Sequence, residues 1–175
     1  NIRTLLNRID RNLYFWTEGH YTGKPIVVFM CGFVEYYPYN ERIATFLEKD
    51  FSVFIIESFY QYFTGSKTVS LEELWRVYED LFTVALKGRE IVMLTGYCSG
   101  AEMAILFAQY MLKKYPKRKP FSLLNMEAIY DRNQYAKLYA DVKEKTVQQR
   151  LAIFMDLFKD FPPLNYDGPI VHVMA

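Results

Sequence analysis

The order of elements along the chain predicts an α/β fold built on a doubly wound, mainly parallel sheet, and three observations carry that reading. Five short apolar segments, each bounded by turn residues, run without polar–apolar alternation, the pattern of strands covered on both faces. Between them lie stretches whose apolar residues recur at helical spacing, so strand and helix alternate as crossover connections require. With 175 residues, 51% of them hydrophobic and 23% charged, the chain is long enough for one domain with a sizeable core and too apolar for intrinsic disorder.

The first core strand is expected over Ile26–Cys31, after the turn Gly23-Lys24-Pro25, and a short helix between Tyr39 and Lys49. A second strand covers Phe51–Ile56, after Lys49-Asp50. Leu71, Leu74, Trp75, Tyr78, Leu81, Phe82 and Ala85 then fall on one helical face, and Ser70 followed three residues later by Glu73 makes a capping box at that helix's start. Ile91–Thr95 is the third strand, and a helix from about Ser99 to Lys114 carries Ala101, Ala104, Ile105, Ala108 and Met111 on one side. Phe121–Met126 is the fourth strand and Ile170–Met174, after Gly168-Pro169, the fifth. Between those two, the stretch from about Gln134 to Phe161 is helical in pattern and longer than one crossover needs. A break near Glu144–Thr146 would divide it into two helices.

Composition excludes several classes of function. The net charge is +1, and the densest basic run (Lys113, Lys114, Lys117, Arg118, Lys119) falls at a helix end and turn, so no nucleic-acid footprint is present. The longest unbroken apolar stretch, Ile26 to Val34, is far short of the ~20 residues a membrane helix needs. Two cysteines and two histidines, with no CxxC or HExxH pattern, offer no metal site. The chain begins at Asn1 with no visible signal peptide and is expected to be an excised or mature piece, cytoplasmic, with reduced thiols.

Chemistry concentrates at the end of the third strand. Gly96-Tyr97-Cys98-Ser99-Gly100 follows Ile91–Thr95 directly and opens a small-residue helix, the context in which a G-x-nucleophile-x-G elbow has meaning. A turn this tight needs Gly or very small residues at its flanks. It forces the central residue towards positive φ and aims its side chain above the sheet. The backbone N–H groups of the helix start lie beside it, where their partial positive charge favours a thiolate and later an oxyanion. Cys98 is therefore the candidate nucleophile.

These residues resemble the α/β-hydrolase fold, and more narrowly the thioesterase domains that release products from nonribosomal peptide and polyketide synthases. Ile26–Phe33 resembles the family's first core strand and oxyanion loop, and Gly96-Tyr97-Cys98-Ser99-Gly100 its Gly-Tyr-Ser-x-Gly, with Cys for the usual Ser. Phe121–Glu127 resembles the next strand, which in the family ends in the catalytic acid, and 134–161 resembles a helical lid insertion. The resemblance implies Cys98 as nucleophile, with the backbone N–H of Ser99 and that of Phe33 or Val34 as the oxyanion hole. Glu127, where the family has Asp, would orient a histidine. Asp131 competes for that role, with an N-cap on the lid helix as its alternative reading.

The base that the resemblance implies has no counterpart here. His172 lies inside the fifth strand, where a core or edge histidine is the simpler reading, and His20 precedes the first core strand. The expectation is a hydrolase whose C-terminal part, with its histidine, lies beyond Ala175. The implied activity is release of an acyl or peptidyl chain from a phosphopantetheine thioester of a carrier domain, by hydrolysis or cyclisation, with no cofactor bound directly. Two aromatic groups, Phe33, Tyr36, Tyr37, Tyr39 and Phe59, Tyr60, Tyr62, Phe63, follow strand ends; some of them must belong to the core, and the others suggest an apolar acyl or peptidyl channel. Cys31 reads as a buried strand residue near the presumed oxyanion loop. Two other readings stand beside this one. The Gly96-Tyr97-Cys98 elbow with Glu35 is similar to dienelactone-hydrolase-like enzymes, in which a carboxylate controls the thiol. A hydrolase fold lacking its base can also serve as an acyl-binding module.

Overall fold

A computed structural model of the chain describes residues 14–16, 23–33, 38–58, 70–87, 89–128, 131–159 and 165–174. In chain order the elements are β1 (Tyr14–Trp16), β2 (Ile26–Met30), α1 (Pro38–Leu47), β3 (Ser52–Ile56), α2 (Leu71–Leu86) and β4 (Ile91–Tyr97). They continue with α3 (Ser99–Lys114), β5 (Ser122–Met126), α4 (Arg132–Leu138), α5 (Lys145–Leu157) and β6 (Ile170–Val173). The strands form one sheet in the order β1-β3-β2-β4-β5-β6. Five of them are parallel, as the alternation of strand and helix requires.

The sixth strand, β1, pairs antiparallel with β3 through Tyr14↔Ile56 and Trp16↔Phe54, and sequence reading missed it. Three residues are too few to show a period. What holds β1 in place is tertiary: the rings of Tyr14 and Trp16 pack on Phe54 at 5.4 and 4.9 Å between centroids.

Every residue of β2 and β3 is buried, as their unbroken apolar character predicts. Successive side chains point to opposite faces. Ile26, Val28 and Met30 join a core with Phe54 and Ile56 under α2, α3, α4 and α5, while Val27, Phe29 and Cys31 pack with Val53 and Ile55 beneath α1. Double-faced burial does not extend across the sheet. β4 and β5 keep half-buried residues, and in β6 Val171 and Val173 are 60% and 49% exposed, so this edge strand departs from the expected covered pattern.

The helices follow their sequence signals closely. Ser70 caps α2 as expected: its hydroxyl accepts from the Glu73 N–H (3.2 Å) and its own N–H donates to the Glu73 carboxylate (2.9 Å). Between β5 and β6 the helical stretch does divide, but at 139–144, earlier than the sequence pattern suggests. The physical reason lies in α5: the Gln148 side chain donates to the carbonyls of Tyr139 (2.5 Å), at the end of α4, and Val142 (2.9 Å), in the turn that follows, satisfying acceptors that no helix bond takes up.

Candidate active site

Cys98 is the single residue between β4 and α3, with φ 52° and ψ −119°. A non-glycine residue costs of order 1–3 kcal/mol in such a conformation and persists only where its surroundings impose it. Here the imposition is visible. A Cβ on Gly96 would lie 2.3 Å from the Gly100 carbonyl carbon, and one on Gly100 would lie 2.2 Å from the Met30 carbonyl oxygen. The start of α3 is thus pressed against the ends of both β4 and β2, and only glycine fits at either flank. The Cys98 N–H donates to the Met126 carbonyl (2.9 Å), which ties the elbow to β5 as well.

Glu127 follows Met126 immediately, also at positive φ (50°), and its N–H donates to the Val173 carbonyl at 2.8 Å. Cys98 and Glu127 therefore sit at the carboxyl ends of adjacent parallel strands, the end at which open α/β sheets bind ligands. The Tyr97 hydroxyl donates to the Glu127 carboxylate. Asp131 is placed differently: its carboxylate accepts the Asn133 N–H (2.9 Å) and caps α4, matching the N-cap reading.

The electrostatics correct one expectation. Burial pushes the Cys98 thiol up from its ordinary value, and the nearby carboxylates of Glu127 and Glu102 push it further the same way. The Ser99 N–H and the Tyr139 hydroxyl, both hydrogen-bonded to the sulfur, pull in the other direction without prevailing. The helix start does favour the thiolate, as the sequence implies, but desolvation is the larger influence and the resting group is a thiol.

Two contributors escaped sequence reading. Glu102, 1% exposed, lies in the first turn of α3, four residues after Cys98 and so on the same helical face. A carboxyl within an otherwise small and apolar run was the available signal. Tyr139 comes from the end of α4. Beside it Tyr135, fully buried, faces Glu102, and burial followed by that carboxylate's charge raises the Tyr135 hydroxyl well above its ordinary value.

Phe33 is fully buried and packs edge-on against Tyr135 (5.8 Å) and Tyr139 (5.3 Å) and tilted against Phe154 (5.3 Å). This ring belongs to the core that seats α4 and α5, not to an open channel. Val34, Glu35, His20 and the aromatics Tyr36, Tyr37, Phe59, Tyr60, Tyr62 and Phe63 lie outside the described residues, as does the side chain of Tyr39. His172 stands exposed on β6 opposite Asn125, one strand beyond the one that carries Glu127. Cys31 and Cys98 are both free thiols; Cys31 is buried, and burial raises it well above its ordinary value. Among the described residues no helix is long and apolar enough to cross a membrane. A recess of about 300 Å³, lined by Glu90, Arg118, Lys119 and Phe121, lies at the opposite, amino end of β4 and β5.

No known family model matches the chain, and no curated protein matches it in sequence. Its fold does match solved structures. The NocB thioesterase domain, solved in covalent complex with a fluorophosphonate nocardicin G analogue, superposes with a TM-score of 0.66 at 16% identity, covering 92% of this chain and 75% of that one. The thioesterase domain SrfTE, which cyclises the lipopeptide antibiotic surfactin, gives 0.57 at 11% identity, covering 93% and 84%. A 1H-3-hydroxy-4-oxoquinoline 2,4-dioxygenase gives 0.61 at 13%, covering 93% and 77%. The chain has an α/β-hydrolase fold, with a mainly parallel sheet flanked by helices. Thioesterases and a dioxygenase share it, so the reaction has to be argued from the site.

Proposed function

We propose that this chain is a thioesterase-type acyl-transfer domain, in which Cys98 takes an acyl or peptidyl chain from the phosphopantetheine thioester of a carrier domain. The observation that carries the reading is the strand–Cys98–helix elbow, whose positive φ and glycine flanks hold a thiol beside the Ser99 N–H at the carboxyl end of the sheet. The two thioesterase domains among the structural neighbours support it at the level of fold.

The chemistry is an exchange of one thioester for another. The Cys98 sulfur attacks the substrate carbonyl as its proton passes to a general base, which Glu127 would orient. The oxyanion that forms is held by the N–H groups of Ser99 and Phe33. Collapse of the intermediate breaks the bond to the phosphopantetheine sulfur, which leaves with the proton as a free thiol. A serine would form an oxoester, more stable than the incoming thioester. A cysteine makes the exchange nearly thermoneutral and keeps the acyl group activated. Water then releases an acid, or an internal hydroxyl or amine of the chain closes a ring. Phosphopantetheine enters as the substrate's carrier, and the domain binds no cofactor of its own. Glu127, held by the Tyr97 hydroxyl, orients the base.

A second reading has one observation in its favour: two carboxylates, Glu127 and Glu102, lie close enough to Cys98 to add to the burial that raises its thiol, an arrangement that suits a dienelactone-hydrolase-like enzyme whose thiol is controlled by a carboxylate. Turnover of an acyl-pantetheine thioester against turnover of a small lactone separates the two. The expected result is release from the thioester, lost in Cys98→Ala, with no lactone hydrolysis. Lactone hydrolysis alone establishes the second reading, and neither activity with retained acyl binding establishes a non-catalytic module.

A further inference from the structure

We infer that Ser58 is a positioning residue for the oxyanion hole: its hydroxyl fixes the peptide that carries the Phe33 N–H and turns that N–H toward Cys98. The inference rests on the acyl-transfer reading of Cys98 and deepens it.

β2 and β3 run in parallel register from Ile26↔Ser52 to Met30↔Ile56, and the last ladder bond beyond them is the Cys31 N–H to the Ile56 carbonyl, 2.9 Å. Among the described residues the strand register ends at Met30↔Ile56. The Ser58 N–H turns to the Glu57 carboxylate (3.2 Å), and the Ser58 hydroxyl donates instead to the Gly32 carbonyl at 2.8 Å. Ser58 is fully buried, so this bond has no water to compete with it.

The direction of the Phe33 N–H follows from covalent geometry. The Gly32 carbonyl and the Phe33 N–H belong to one planar trans peptide and point in opposite directions. Strand order is β3-β2-β4. A Gly32 carbonyl held toward Ser58, at the end of β3, leaves the Phe33 N–H directed to the β4 side, where Cys98 and Ser99 lie. Two further contacts prevent the peptide from turning. Gly32 lies so close to Ser99 that a Cβ on it would fall 1.9 Å from the Ser99 hydroxyl oxygen, and the Phe33 ring is held by Tyr135, Tyr139 and Phe154. Glycine at 32, hydroxyl at 58 and aromatic at 33 thus act on one peptide group. An oxyanion hole gains its advantage from donors that are already aimed before charge develops, and Ser58 supplies that aim.

Isotope-edited infrared spectroscopy of the Cys98 acyl-enzyme, formed from a carbonyl-labelled acyl-pantetheine thioester, tests this. Wild type, Ser58→Ala and Ser58→Cys are compared, with far-UV circular dichroism and thermal melting establishing that each is folded. The expected result is a carbonyl stretch shifted to low frequency in the wild type, restored towards the free-thioester value in Ser58→Ala and intermediate in Ser58→Cys, whose thiol is a weak donor. Deacylation should slow by about ten-fold in Ser58→Ala, less than the ~10²–10³ that outright loss of a donor costs. Equal frequencies in wild type and folded Ser58→Ala overturn the role of Ser58 and leave that of Cys98 standing. Absence of an acyl-enzyme in the wild type overturns the acyl-transfer reading and Ser58's role with it.

Discussion

At Cys98 two influences meet with opposite sign. Burial and the charges of Glu127 and Glu102 hold the proton on sulfur, while the Ser99 N–H and the Tyr139 hydroxyl favour its loss. The balance predicts slow alkylation by iodoacetamide at neutral pH, rising along a profile whose inflection lies above that of an ordinary cysteine. Removing the hydroxyl in Tyr139→Phe takes away a bond to the thiolate, so the inflection should move further up and the neutral-pH rate fall. Removing a negative charge in Glu127→Gln should move it down and the rate rise. Equal profiles in all three proteins would show that neither group acts on the sulfur. The place of Cys98 was legible in five residues, because an elbow has only one steric solution. Its protonation state was not, because Tyr139 reaches the sulfur from forty residues away along the chain.

The elbow and the helix caps allow the same comparison at the scale of elements. A methyl group in Gly100→Ala would meet the Met30 carbonyl, a backbone atom that cannot step aside, so a loss of about 3 kcal/mol or more is expected. Ser70→Ala removes one exposed cap from α2 and should cost about 1 kcal/mol. Urea denaturation followed by circular dichroism measures both, and only the first variant should also alter the alkylation profile of Cys98. Comparable losses in the two would mean that the close approach of α3 to β2 is not what holds the elbow. The capping box could be read from Ser70 and Glu73 because both partners lie within one turn. The α4–α5 break was placed too late because the bonds that fix it come from the Gln148 side chain, six and nine residues on in the next helix, a spacing that no capping motif marks.

Across the whole molecule the aromatic residues form a continuous path. Phe33 touches Phe154, Phe154 touches Phe158 (5.0 Å), Phe158 touches Trp75 (6.0 Å), and Trp75 touches Phe107 (5.5 Å), which reaches Phe82 (4.8 Å). Such pairs contribute about 0.5–1.5 kcal/mol each beyond the area they bury. The path joins the loop after β2 to α2, α3 and α5, so the helices between β5 and β6 are fastened to the same core that supports Cys98. Composition announced the abundance of rings but not which of them are core, and Phe33 could not be sorted from the sequence because its partners lie in a helical segment more than a hundred residues on. The parallel sheet was legible because apolar runs bounded by turns leave few topologies open. One thiol, held where the parallel strands end, is proposed to accept the acyl group. Intact-mass analysis after loading wild type and Cys98→Ala with an acyl-pantetheine thioester measures this acceptance. A single acyl adduct is expected on the wild type and none on Cys98→Ala; no adduct on the wild type, or one that survives the substitution, would remove Cys98 from the reaction.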